Sequence, residues 1–218
     1  MAKIIALFNN KGGVSKTTTT FHLGWKLAEK GYKTLIVDTD PQCNLTGLCL
    51  NTDKNNKLDN FYKENKNNLK DSLSPVFSGA LSPLVAANCY EFDENKNLFL
   101  LPGHIEFSEY DTTYNIAENL TGSLIMFKNV PGALRNLLQM TAEKYGFDYI
   151  LVDMSPNISA TNANILMESD FFIVPCAPDY FCYMAIDSLT KVFPRWDKVY
   201  GQIKENDVFK SADYKMNS

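Results

Sequence analysis

The sequence has no run of apolar residues approaching the roughly 18 to 20 that a membrane-spanning helix requires. Met1-Ala2-Lys3 leads straight into a strand-like segment and not into a signal peptide. A cytoplasmic protein with no membrane partner is therefore expected. Cysteine and histidine are scarce: Cys43, Cys49, Cys89, Cys176 and Cys182 form no CxxC pair, and His22 and His104 stand apart. This pattern gives no zinc site or cluster ligand set, and all seven residues read as structural. An excess of positive charge is also missing. With 21 Lys and Arg against 25 Asp and Glu, the net charge is −4. That argues against nucleic-acid binding through an overall positive potential and leaves a local basic patch open.

What is present suits one domain: 218 residues, 45% hydrophobic and 21% charged, are enough for a single sizeable core. A short apolar run over 3–8 precedes the glycine-containing segment at 9–13, and an amphipathic helix is predicted over 16–30, stopped by Gly31. Further strands are predicted over 34–37, 97–101, 149–152 and 171–174, with helices over 132–145, 160–168 and 183–192. Apolar runs without alternation suit parallel strands covered on both faces. The expected fold is therefore α/β, a doubly wound, mainly parallel sheet flanked by helices. Between 51 and 95 the composition turns rich in Asn and Lys. This stretch reads as a helical insertion with mobile edges, and its interleaved Asp53, Asp59, Glu64 and Asp71 favour a solvated surface over a DNA grip.

In such sheets ligands bind beyond the carboxyl ends of the strands. Lys11-Gly12-Gly13-Val14-Ser15-Lys16-Thr17-Thr18 falls there, between a predicted strand and a predicted helix, as a phosphate-binding loop requires. Its backbone N–H groups and the helix N-terminus are suited to bind phosphate oxygens, so all eight residues are candidate nucleotide contacts. Lys16 is placed to neutralise the β- and γ-phosphates and the Thr17 hydroxyl to ligate Mg²⁺. Asp153 ends an apolar strand and is placed to hold the magnesium shell, directly or through water. Asp38 and Asp40 follow the second strand at the same edge. The plainer alternatives are a tight turn that binds nothing for the loop, a strand-ending acid for Asp153 and a solvated turn for Asp38 and Asp40. Two lysines, two threonines and suitable flanks in one segment favour the site. The 176–184 segment stays open between core packing and contact with nucleotide or partner, and Arg135 and Arg195 are undecided.

The runs KGGVSKTT, LIVDTDPQ and YILVDMSP together resemble the ParA/MinD group of ATPases, P-loop NTPases of the deviant Walker A type. The resemblance covers the chain from Lys3 to about Phe193. ParA-like partition proteins match best, because Asp40-Pro41-Gln42 followed by Asn44, and the later IVPCAPDYFCYMAIDSL, resemble that branch. It implies a homodimer closed around two ATP molecules, with the extra lysine, Lys11, reaching the partner's nucleotide as an arginine finger does. It further implies that Asp40 orients the attacking water and that Asp38 supports the magnesium and the loop sensing the γ-phosphate. The catalytic set is then Lys11, Lys16 and Asp40, and the metal set Thr17, Asp38 and Asp153. ATP and Mg²⁺ are the cofactors implied. The partners implied are a second copy of the chain, nonspecific DNA, and a ParB-like or other hydrolysis-stimulating protein. Slow, partner-stimulated hydrolysis in plasmid or chromosome partitioning, with association to the nucleoid, follows from the same likeness.

Three departures stand out. Ser15 replaces the glycine that usually precedes the loop lysine, so a Cβ must fit close to the phosphates. Asp153-Met154-Ser155-Pro156-Asn157 replaces the commoner acid-x-Pro-Pro. The terminal GQIKENDVFKSADYKMNS leads to the expectation of a chain lacking the last strand and helices of longer relatives. Two other functions compete. A MinD-like membrane-associated ATPase needs a basic amphipathic C-terminal helix, which DVFKSADYKMNS does not supply. A regulatory or metabolic enzyme of the same fold needs a substrate site or cluster cysteines that are not evident.

Overall fold

The runs KIIAL, TLIVD and YILVD become strands β1 (Lys3–Leu7), β2 (Thr34–Asp38) and β5 (Tyr149–Asp153), all parallel. The structure, a computed structural model, describes residues 1–50, 67–79, 82–119 and 127–217. β3 (Tyr90–Glu91), β4 (Leu98–Leu101) and β6 (Phe171–Ile173) complete a six-stranded sheet of order β3-β4-β2-β5-β1-β6. Among the described strands only β3 is antiparallel to its neighbour. The expected doubly wound sheet is thus observed.

Alternation along each strand divides the core into two layers. Leu7, Ile36, Leu98, Leu100 and Leu151 turn to one face, covered by α1 (Lys16–Glu29) and α2 (Asn44–Leu50). Ile4, Ala6, Leu35, Val37, Ile150 and Val152 turn to the other. There they meet α3 (Leu69–Phe77), α4 (Tyr110–Asn119), α5 (Val130–Tyr145), α6 (Ala160–Glu168) and α7 (Tyr180–Glu205). Gly24 fixes how closely α1 lies on the sheet. A Cβ there would stand 2.6 Å from the Ile36 side chain, so a larger residue would lift the helix and the loop that leads into it.

Several elements differ from the expectation. The helix predicted over 183–192 runs from Tyr180 to Glu205, straight through Pro194. Proline in a helix interior removes a hydrogen bond; here Phe193 and Trp196 pack on the Phe8 ring from either side of it, and that burial carries the helix on. Much of the Asn/Lys-rich insertion, 51–66 and 80–81, lies outside the described residues. Its Leu69–Phe77 part is no solvated surface, since Leu69 and Leu73 are wholly buried in the main core. A 3-10 helix at Ile105–Glu109 and α4 occupy a stretch for which no element is predicted. The last residues form α8 (Asp207–Lys210) and then fold back onto α5 and α6, with Asn136 donating to the Lys215 carbonyl and the Asn217 amide to Glu168. Among the described residues no helix is long and apolar enough to cross a membrane.

Candidate functional site

The carboxyl ends of β1, β2 and β5 meet at one edge, where the strand register sets Asp38 and Leu7 on either side of Asp153. From Leu7 the chain turns through the glycine loop and enters α1 at Lys16. Gly13 takes φ +73° and Ser15 φ +64°. For an L-residue with a Cβ, the left-handed region costs on the order of 1 kcal/mol, which is why glycine suits the Ser15 position. The serine is accommodated because it is exposed, and its side chain makes no capping bond to α1.

The first turn of α1 and the loop line a groove of about 600 Å³ with Gly12, Gly13, Lys16, Thr17, Thr18, Asp40 and Pro156 among its walls. Lys16 is only 7% exposed, and its Nζ lies 3.0 Å from the Asn9 carbonyl and 3.2 Å from that of Lys11. Burial lowers its basicity, while the charges of Asp153 and Asp40 oppose that shift.

Asp153 is buried at the bottom. Desolvation raises its carboxyl to about 7, against the Thr17 hydroxyl and the Lys16 charge. Oδ1 lies 3.4 Å from the Thr20 hydroxyl, and Oδ2 is buried without a hydrogen-bond partner. An orphaned carboxylate oxygen next to a threonine hydroxyl suits a hard cation. Magnesium takes one or two protein oxygens and fills its remaining positions with water and phosphate. Among the described residues no group of three or more His, Cys, Asp or Glu could hold a metal, in keeping with so sparse a ligand set.

Asp38 and Asp40 divide the work differently from a plain pair. Asp40 reaches the groove wall and accepts from the Gln42 amide at 2.9 Å. Asp38 lies behind it, fully buried. Its Oδ2 accepts from the Thr46 amide at 2.8 Å and hydroxyl at 2.7 Å, and its Oδ1 from the Asp40 amide at 3.2 Å. Desolvation lifts Asp38 to about 6 in spite of those bonds. Gly103 packs against it so closely that a Cβ would sit 3.0 Å from the carboxyl carbon. Asp38 therefore holds the turn that carries Asp40.

Lys11, five residues before Lys16, turns away from this groove. Its Nζ lies 2.8 and 2.7 Å from the two Asp179 carboxylate oxygens and 3.6 Å from the Cys182 sulfur. Asp179 caps α7 by accepting from the Cys182 amide. The 176–184 segment, open between core and contact in the sequence, divides: Cys182 is buried, whereas Tyr180, Phe181, Tyr183 and Met184 are exposed. Arg135 is structural in its contacts, donating to the Glu168 carbonyl and pairing with Asp170. His104 caps the 3-10 helix, its Nδ1 accepting from the Glu106 amide.

Sequence reasoning missed Asn9 and Thr46. Asn9 is buried, accepts from the Lys11 amide at 2.9 Å and donates to the Pro175 carbonyl at 2.8 Å, tying the loop to the β6–α7 connection. Its position at the end of the apolar run over 3–8, just before the loop, was the available signal.

A family model described as an AAA domain, AAA_31, matches residues 2–206. The sporulation initiation inhibitor protein Soj of Bacillus subtilis is 30% identical over 190 residues, which cover 87% of this chain and 64% of that protein. A solved protein of Corynebacterium diphtheriae superposes with a TM-score of 0.77 at 26% identity, over 93% of this chain and 70% of that one. A cobyrinic acid a,c-diamide synthase of Mycobacterium smegmatis, solved with an ATP analog and magnesium, shares the fold, with a TM-score of 0.64 at 24% identity over 91% of this chain and 69% of that one. The chain spans about 60% of the length of the curated relatives it matches. With the parallel sheet, the glycine loop and the ordered acids in place, the chain belongs to the AAA_31 family of AAA domains.

Proposed function

We propose that the chain is an ATP-binding and ATP-hydrolysing switch that pairs around nucleotide and acts in plasmid or chromosome partitioning. The observation that carries this reading is the buried Lys16 set between the loop carbonyls and two acids, beneath a groove lined by the first turn of a helix. Lys16 exchanges its two carbonyl contacts for the β- and γ-phosphate oxygens, and the amides of Gly12 to Thr18 cradle the phosphates. Thr17 and Asp153 would hold magnesium, with Asp153 offering its unpartnered oxygen and Asp38 supporting from behind. Bound there, the ion would neutralise charge on the phosphates.

Asp40 positions the attacking water at the groove wall, and the Thr46–Asp38 contacts keep that turn in place. Lys11 adds positive charge to the nucleotide of a second copy, so hydrolysis relies on positioning and charge with no covalent step. Slow turnover, stimulation by a ParB-like or other protein, binding to nonspecific DNA and a nucleoid location in the cytoplasm complete the reading. The motifs KGGVSKTT, LIVDTDPQ and YILVDMSP, which resemble those of ParA-like partition proteins, support this part.

Light scattering in Mg²⁺-ATP, Mg²⁺-ADP and no nucleotide tests it. An ATP-specific dimer is expected, lost in Lys11→Ala and Lys16→Ala and prolonged in Asp40→Ala as hydrolysis stops. A protein that binds Mg²⁺-ATP and stays monomeric throughout would sink the pairing. One that fails to bind nucleotide at all would sink the ATPase.

A further inference from the structure

Lys11 is engaged within its own subunit. Among the described residues, its ammonium meets three residues of one turn of chain: Asp179 through both oxygens, Cys182 through its sulfur, and Phe181 through its ring, with the centroid 5.8 Å away. Both ends of the ion pair are anchored to the same joint. Asp179 is fixed as the cap of the 26-residue helix α7. The Lys11 amide is fixed by Asn9, which also holds the Pro175 carbonyl. A lysine bound in this way cannot at the same time extend to a second subunit.

We propose that Asp179 is a positioning residue that latches Lys11 in the single subunit and must release it before pairing; this rests on the role given to Lys11 above. The pair is weakly set. Its side chains are 27% and 41% exposed, and solvent-exposed ion pairs contribute little to stability. The latch therefore shifts the concentration at which two subunits pair and does not forbid pairing. Opening it frees both a cation and the carboxylate at the tip of α7, flanked by exposed Tyr180 and Phe181.

The test compares wild type, Asp179→Asn and Asp179→Ala for the protein concentration giving half-dimer in Mg²⁺-ATP. Asparagine removes the charge and keeps the helix cap, and alanine removes both. Asp179→Asn should pair at a concentration about two- to fivefold lower, the size expected for an exposed pair. In nucleotide-free protein, the initial rate at which an amine-reactive reagent labels Lys11 should rise in Asp179→Asn, with Lys16 labelling unchanged. Unaltered labelling, or an Asp179→Asn protein that pairs no more readily than a wild type that does pair, overturns the latch. A change in Asp179→Ala alone assigns the effect to capping and also overturns it. If neither wild type nor variants pair in Mg²⁺-ATP, the pairing reading itself has failed and the latch with it, a result told apart by the silence of the wild type.

Discussion

Strands β5 and β6 flank the same strand, β1, and both are written in apolar residues, YILVD against FFI. Their surroundings are opposite. Ile150, Leu151 and Val152 have no exposed surface, whereas Phe171, at the edge, is 58% exposed, with Phe172 and Ile173 exposed beside it. An apolar run therefore specifies a strand without specifying its place in the sheet, and only the interior place turns apolar area into stability. The acids follow the same division. Asp153 ends the interior strand under the glycine loop, while the edge strand leads through Pro175 to the exposed Asp179.

The contrast can be broken most strongly in the middle. Leu151→Ala leaves a cavity between α1 and the sheet and should cost about 3 kcal/mol in urea unfolding. A loss under about 1 kcal/mol would mean that the centre is no better packed than the edge.

A pH series sharpens it next. Glu168 closes α6 immediately before the edge strand and is buried, with desolvation raising its carboxyl to about 7 from an ordinary 4.5. Between those values the folded protein holds a proton that the unfolded chain has lost, so this contribution to stability is full below about 4.5 and is lost as pH rises through about 7. Glu118, raised by burial to about 7 and bonded to the Tyr200 hydroxyl, acts in the same direction. Urea midpoints should fall from pH 5 to pH 8, and the fall should be smaller in Glu168→Gln, by an amount on the order of 3 kcal/mol or less. Equal falls in the two proteins would show that this carboxyl is not desolvated.

Ser15 lies across a second groove from Ile173, where the loop faces the edge strand. Ser15→Gly removes the left-handed Cβ and should change stability by no more than about 1 kcal/mol, upward if strain outweighs the added chain freedom. A clear loss in thermal unfolding would show that the serine is favoured where it stands. Smallest of all, Phe171→Ser should alter stability by less than about 0.5 kcal/mol, and a loss near that of Leu151→Ala would erase the distinction between the strands.

The glycine loop was legible in the sequence because such a loop is local. Lys11 to Thr18 are contiguous, and strand, glycine and helix signals surround them. Asp153 and Asp40 were legible for a related reason, since each stands at or just beyond the end of an apolar strand. The separate places of Asp38 and Asp40 were less so. Two acids two positions apart look alike in the chain, and it is Thr46, from α2, that draws Asp38 back from the groove. The contact between Lys11 and Asp179 spans the chain, and no spacing rule announces it.

Residue order alone thus determined the α/β alternation, the glycine loop between strand and helix, and the acids at the strand ends, because backbone sterics and period-two burial act over a few residues. Only the tertiary structure decided which apolar strand would be interior, how far α7 would run past Pro194, which acid would reach the groove and which lysine would be buried. Those outcomes depend on desolvation and on packing between distant segments, and each is fixed only when the sheet has closed against its helices.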